Sequence, residues 1–279
     1  GTCTLGSALT LGLTRTFTHT RGTLALANFT LSCGLFNTNN ANTRVITFGT
    51  TGNITTTGSG TVWTSATATG LTYTGTPTVN ISNNSATATT VTAGTTGGAA
   101  TNAFDFNFTT GTYALTISTG SSVRSLNFTG FAGTWAPGTA TCTFFGNLTL
   151  VSGMTFTTGS GLWTFSAASG TQDITSAGKT LFSISKTILG STFRLVDALT
   201  MAINATFTYS QGPLDLNNFT LSCGLFSSAS AATRAISFGT TGNITTTGSG
   251  TVWTTANATG ISYTGTPTVN ISNNSATAA

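Results

Sequence analysis

Short runs in which apolar residues alternate with Thr or Ser recur along the whole chain, each bounded by Gly, Asn or Ser. Ala198–Met201, Phe219–Ser222, Asn243–Thr246 and Ile261–Thr264 are four of them; Tyr113–Ile117, Ser125–Phe128, Asn147–Leu150 and Met154–Phe156 are four more. An alternation of period two puts the apolar side chains on one face of an extended strand and the hydroxyls on the other. Thr, Val, Ile, Phe and Tyr suit that pleat, whereas Gly and Asn take the turns. No stretch offers an apolar stripe of helical period with caps at its ends. The pattern therefore predicts an all-β chain whose short strands come roughly every 20 residues, punctuated by turn residues.

A longer period overlies the short one. Leu31–Phe36 (LSCGLF) returns at Leu221–Phe226, and the phrase beginning FGTTGNITTTGSGTVWT at Phe48 returns at Phe238, 190 positions on in each case. From Val45 to Thr89, 38 of 45 positions match Ala235 to Ala279. This predicts residues 1–190 as one full period and 191–279 as the first part of the next. The two are expected to be continuous without a linker, an excerpt of a longer tandem array. Two architectures compete for such a sequence, a string of β-sandwich domains and a β-solenoid. Sandwiches would carry charge on their outer faces, and two unlike domains would be needed in each period. A parallel β-helix with coils of roughly 20 residues explains more, since stacking pairs every strand above and below and buries a continuous apolar row. Outward Thr rows pair well between rungs without charge.

The phrases Gly212–Phe226 (GPLDLNNFTLSCGLF), Gly52–Trp63 (GNITTTGSGTVW) and Ala177–Met201 resemble the Thr/Gly/Ser-rich repeats of bacterial surface and bacteriophage fibre proteins, in which a G-T-L-D-L-N phrase recurs in long arrays. The resemblance implies an extended rod, extracellular or on a cell or virion surface, whose partners are further copies of itself and glycans.

Composition narrows the function. Charged residues are 4% of the chain, against about 25% in an ordinary soluble domain. The net charge of +4 comes from scattered cations, not from the clusters that meet nucleic-acid phosphates. No apolar run is long enough for a membrane-spanning helix. Four Asp and no Glu leave little for a calcium cage, and one His with four dispersed Cys gives no zinc pattern. No catalytic, cofactor or metal residues are assigned, and no enzyme activity or cofactor is expected.

The second copy tests each chemical residue of the first. His19 is replaced by Tyr209, Arg15 by Ala205, Arg21 by Gln211 and Cys3 by Phe193. Cys33/Cys223, Arg44/Arg234, Trp63/Trp253 and Asn53/Asn243 persist. Asp105 and Asp173 are the carboxylates available to a glycosidase pair; turn roles are the simpler expectation for both. Arg44 and Arg234 are expected to be solvated or to bond turn carbonyls. Cys33 and Cys223 are expected as buried thiols, with a Cys3–Cys33 bridge as the alternative. Trp63 and Trp253 are candidates for stacking on sugars from the surface, against a place in the core. Asn28, Asn53, Asn80, Asn107, Asn127, Asn147, Asn218, Asn243 and Asn270 are candidate glycosylation sites in N-x-S/T contexts. The expected function is a structural repeat segment of an extracellular fibre, filament or phage appendage. A carbohydrate- or ice-binding adhesin module is the alternative. T-x-T triplets, however, occur no more often than so Thr-rich a chain gives by chance.

Overall fold

The computed structural model describes residues 1–272. These residues form strands and turns, with no helix among them, and so no helix long and apolar enough to cross a membrane. The strands are parallel, each lying about 22 residues after its neighbour in the sheet, and the fold is a β-solenoid. Two compact units are distinguished, Gly1–Ala140 with Gly153–Thr157, and Thr141–Ser152 with the chain from Thr158 onward.

The first unit has three ladders, one for each side of the coil. One runs Thr2–Thr4, Gly22–Ala25, Arg44–Gly49, Leu71–Gly75. The second runs Leu9–Thr10, Thr30–Cys33, Asn53–Thr56, Thr78–Ile81, Asp105–Phe108, Ser125–Asn127. The third runs from Thr16–Thr18 through Leu35–Asn37, Gly60–Thr67, Thr89–Thr96, Ala114–Ile117 and Thr134–Trp135 to Thr155–Phe156. The predicted alternation is visible in the second ladder. Leu31, Ile54, Val79, Phe106 and Leu126 share an inward row, fully buried. Ser32, Thr55, Asn80, Asn107 and Asn127 share the outward row beside it. A one-residue slip of any strand would exchange these rows and expose its apolar side chains, which pins the register.

The second unit repeats the plan. Its ladders are Cys142–Phe144, Trp163–Phe165, Ile184–Lys186, Thr206–Tyr209, Leu225–Ser227, Trp253–Thr254; then Leu148–Thr149, Gly170–Thr175, Ser191–Leu195, Gly212–Asp215, Arg234–Ser237, Ile261–Thr264; then Thr180–Leu181, Leu199–Met201, Thr220–Cys223, Asn243–Thr246, Val269–Ile271. Aromatic rings stack rung upon rung inside each unit. Phe17, Phe36 and Trp63 have ring centroids 5.7 and 4.6 Å apart, and Phe207, Phe226 and Trp253 repeat this at 5.9 and 4.4 Å. Offset stacking of this kind adds to the area each ring buries.

Coil length varies more than a uniform 20-residue repeat would. Leu225 pairs with Thr206, 19 positions earlier, whereas Asp105 pairs with Thr78, 27 positions earlier. The difference is taken up in turns, where polar residues add length without disturbing the ladders. One corner recurs in both units. Asn28 has φ +70° and lies over Gly49 at φ +76°. A Cβ on Gly49 would come within 2.4 Å of Asn28 Oδ1. Only glycine combines that conformation with that approach.

Candidate functional site

The polar groups of the interior collect at one corner. Arg44 and Arg234, the arginines common to both copies, are fully buried, so the solvated alternative does not hold. Arg44 donates to the carbonyl oxygens of Asn40, Thr67 (3.1 Å) and Thr69 (3.2 Å). Arg234 donates to the carbonyls of Ala232 (3.1 Å), Ser228, Asn257 (2.6 Å) and Thr259 (3.0 Å), and to Ser228 Oγ at 2.7 Å. Neither has a carboxylate partner among the described ion pairs. The planar guanidinium gathers carbonyls that successive turns leave unpaired. The single-residue sequence signal was present, an arginine at the same place in both copies, but its burial was not legible from the turn composition around it.

Beside each arginine sits a ring. His19 Nε2 lies 3.1 Å from the carbonyl of Gly22, and burial, helped by the Arg44 charge, lowers its pKa against the opposing effect of that bond. Tyr209 takes the equivalent place. Its hydroxyl donates to Gly212 O and, at 2.9 Å, to Ala235 O, and it accepts from the amide of Ala235 at 2.8 Å. In the same row, one coil before Tyr209, stands Lys186, fully buried. Its Nζ donates to Ile188 O and to Ser191 Oγ at 3.0 Å. Ser191 in turn donates to Gln172 Oε1 at 3.3 Å, and Gln172 Nε2 donates to the carbonyls of Phe144 and Gly146 at 3.1 Å each. Burial lowers the Lys186 ammonium to about 8. Lys186 has no counterpart in the first copy, so the repeat comparison could not single it out.

The four carboxylates tie the structure together. Asp105 pairs with Arg124 at 3.2 Å; burial raises its pKa while the Arg124 charge opposes that rise. Asp173 receives Arg194 in a two-pronged bond, Nε to Oδ1 at 2.7 Å and Nη2 to Oδ2 at 2.9 Å. Each pair joins neighbouring strands of one ladder. The turn role expected for Asp105 and Asp173 is therefore corrected: both lie on strands. Asp197 and Asp215 do hold turns. Asp197 accepts from the amides of Ser176 (2.7 Å) and Ala177 (2.6 Å), and Asp215 from that of Asn217 (2.9 Å).

All four cysteines are free thiols. Cys33 and Cys223 are buried as expected. Burial pushes them up to about 11 and about 12, which makes them poor nucleophiles at neutral pH. Trp63 is fully buried, donates from Nε1 to Ser65 Oγ at 2.9 Å and offers no face to a sugar. Trp253 is half-buried.

Several of the nine candidate asparagines form ladders. Asn53 Nδ2 donates to Thr30 Oγ1 (3.1 Å), Asn80 Nδ2 to Asn53 Oδ1 (3.3 Å) and Asn107 Nδ2 to Asn80 Oδ1 (3.2 Å). Asn243 and Asn270 repeat this, donating to Thr220 Oγ1 (3.0 Å) and Asn243 Oδ1 (3.5 Å). The nitrogen that a glycan would occupy is the ladder's donor in these five. Asn127 accepts from Thr129 at 2.7 and 3.0 Å, and Asn147 from the amide of Asp173 at 2.9 Å. Asn28 and Asn218 are exposed at their corners and bond through Oδ1 to Thr50 and Thr240. Among the described residues no group of three or more His, Cys, Asp or Glu is placed to hold a metal ion. No protein-family model, curated protein or solved structure matches the chain.

Proposed function

We propose that the chain is a structural repeat segment of an extracellular fibre, filament or phage appendage, a neutral Thr-rich rod of the bacterial-surface or bacteriophage type. The observation that carries this reading is where the polar chemistry goes. The carboxylates, the buried arginines and Lys186 bond to neighbouring coils and turns, and two carboxylates are neutralised by arginines one coil away. Side chains spent on cohesion are not poised for turnover. The tandem period supports the same reading, because a repeated coil lengthens a rod without new contacts having to be invented. With so little charge, neighbouring rods would not repel each other strongly, so lateral bundling is part of the proposal. Cryo-electron microscopy of the native material tests it. A thin rod with rungs about 4.8 Å apart and a longer axial period near 45 Å, the rise expected of about nine coils, supports it. Isolated particles with no axial period would overturn it, and glycan binding by such particles would favour the adhesin alternative.

A further inference from the structure

One sequence occurs in two settings. Leu71–Ile81 and Ile261–Ile271 differ at two positions of eleven, Leu71/Ile261 and Thr72/Ser262. In the first unit this stretch is interior. Asp105–Phe108 pairs along Thr78–Ile81, and Thr89–Thr96 pairs along Gly60–Thr67. Phe104 and Phe106 close on Trp63 at 5.0 and 5.5 Å. Tyr73 donates to Ala100 O at 3.0 Å and packs on Phe104. Val79 and Ile81 are 0% exposed as a result. In the second unit nothing among the described residues takes that place. Tyr263 is 43%, Val269 41% and Ile271 61% exposed, and Trp253 and Ile271 line an open groove with Gly250, Thr251 and Val252.

An apolar strand edge of this kind is a template for another strand. We propose that the edge built by Trp253, Tyr263, Val269 and Ile271 is a docking surface for a segment with the sequence of Thr89–Phe108, supplied by another copy of the repeat. The occupant is identified by the chain itself, which seats that segment on the same residues elsewhere. By equivalence of position, Phe106 of the incoming copy lies against Val269 and over Trp253, Phe108 lies against Ile271, and Val91 pairs opposite Trp253. Asn107 extends the asparagine ladder from Asn270.

This inference rests on reading the chain as part of an array, and its test is separable from the test of that reading. A synthetic peptide of residues 88–110 is added in excess to the full chain. Amide hydrogen exchange is followed at Ile261–Thr264 and Val269–Ile271, and tryptophan emission is compared with that of a Trp253→Phe variant. Binding slows exchange at these strands by about tenfold or more, as ladder amides gain partners, and shifts to the blue an emission component that the variant lacks. The same peptide carrying Phe104→Ser and Phe106→Ser leaves both signals unchanged. No protection, or equal protection by the substituted peptide, overturns the proposal. An axial period in the native material alongside a failed peptide would reject this docking edge and leave the fibre; the opposite pair of results would do the reverse.

Discussion

His19 and Tyr209 occupy the same corner of successive copies, yet they solve its problem differently. The imidazole reaches the Gly22 carbonyl and leaves Nδ1 without a partner among the described residues. The phenol reaches the Gly212 carbonyl and also bonds both backbone groups of Ala235, in the next coil. Arg234 beside Tyr209 uses all three guanidinium nitrogens, whereas Nε of Arg44 beside His19 is unpartnered. What the corner demands is a ring with a polar tip next to a buried cation. The identity of the ring is free, and the second copy satisfies more of the buried polar groups than the first.

That contrast can be broken at several depths. The largest effect is expected where covering, not sequence, differs. Trp63→Ala should cost about 3–5 kcal/mol in denaturant unfolding, as deletion of a buried aromatic does, and Trp253→Ala about half of that. Equal losses would mean that Trp253 is covered in solution. Next come the arginines. Arg234→Met should cost about 2–4 kcal/mol, because several buried carbonyls lose a charged donor, and Arg44→Met measurably less. A reversed order would show that the bonds made at Arg234 are not the source of the difference.

Lys186 sharpens the comparison by pH. Its folded-state pKa of about 8 lies below the ordinary 10.5, so the unfolded chain holds the proton more tightly. Stability should therefore climb as pH rises from about 8 to 10.5, by at most about 1.4 kcal/mol per pH unit. Lys186→Met should flatten that climb. At the acid end, His19 is held below 6.5. The first copy should lose stability as pH falls below that value, and His19→Tyr should remove the loss. Amide exchange at Thr16–Thr18 and Gly22–Ala25 reads this locally. The smallest effect is expected from Asn80→Ala, which interrupts the asparagine ladder at its middle and should cost about 0.5–1.5 kcal/mol.

Strand class and coil spacing could be read from the alternation of Thr with Leu, Ile, Val and Phe, and the strands Asn243–Thr246 and Ile261–Thr264 fall where that alternation placed them. The ion pairs could not be read so directly. Asp105 and Arg124 are 19 positions apart and Asp173 and Arg194 are 21 apart, a separation that becomes adjacency only once the coil is known. Opposite charges spaced by one coil length were the available signal. Burial of Arg44 was hidden for a different reason, since a polar turn such as Asn42-Thr43-Arg44 reads as solvent-facing in any local window. The difference between Trp63 and Trp253 is beyond local sequence altogether, because the residues around them are nearly the same.

The buried cations also bear on how the chain meets proteases. Trypsin-like enzymes cut after Lys and Arg, and the chain has eight of them. Arg44, Lys186 and Arg234 are fully enclosed and wired to neighbouring turns, which leaves Arg15, Arg21, Arg124, Lys179 and Arg194 as the bonds open to attack. Enzymes that require Glu find none. The same sparing use of charge that leaves the outer rows to Thr and Asn thus makes the folded chain a poor substrate, a property suited to material that must persist where digestive enzymes are abundant.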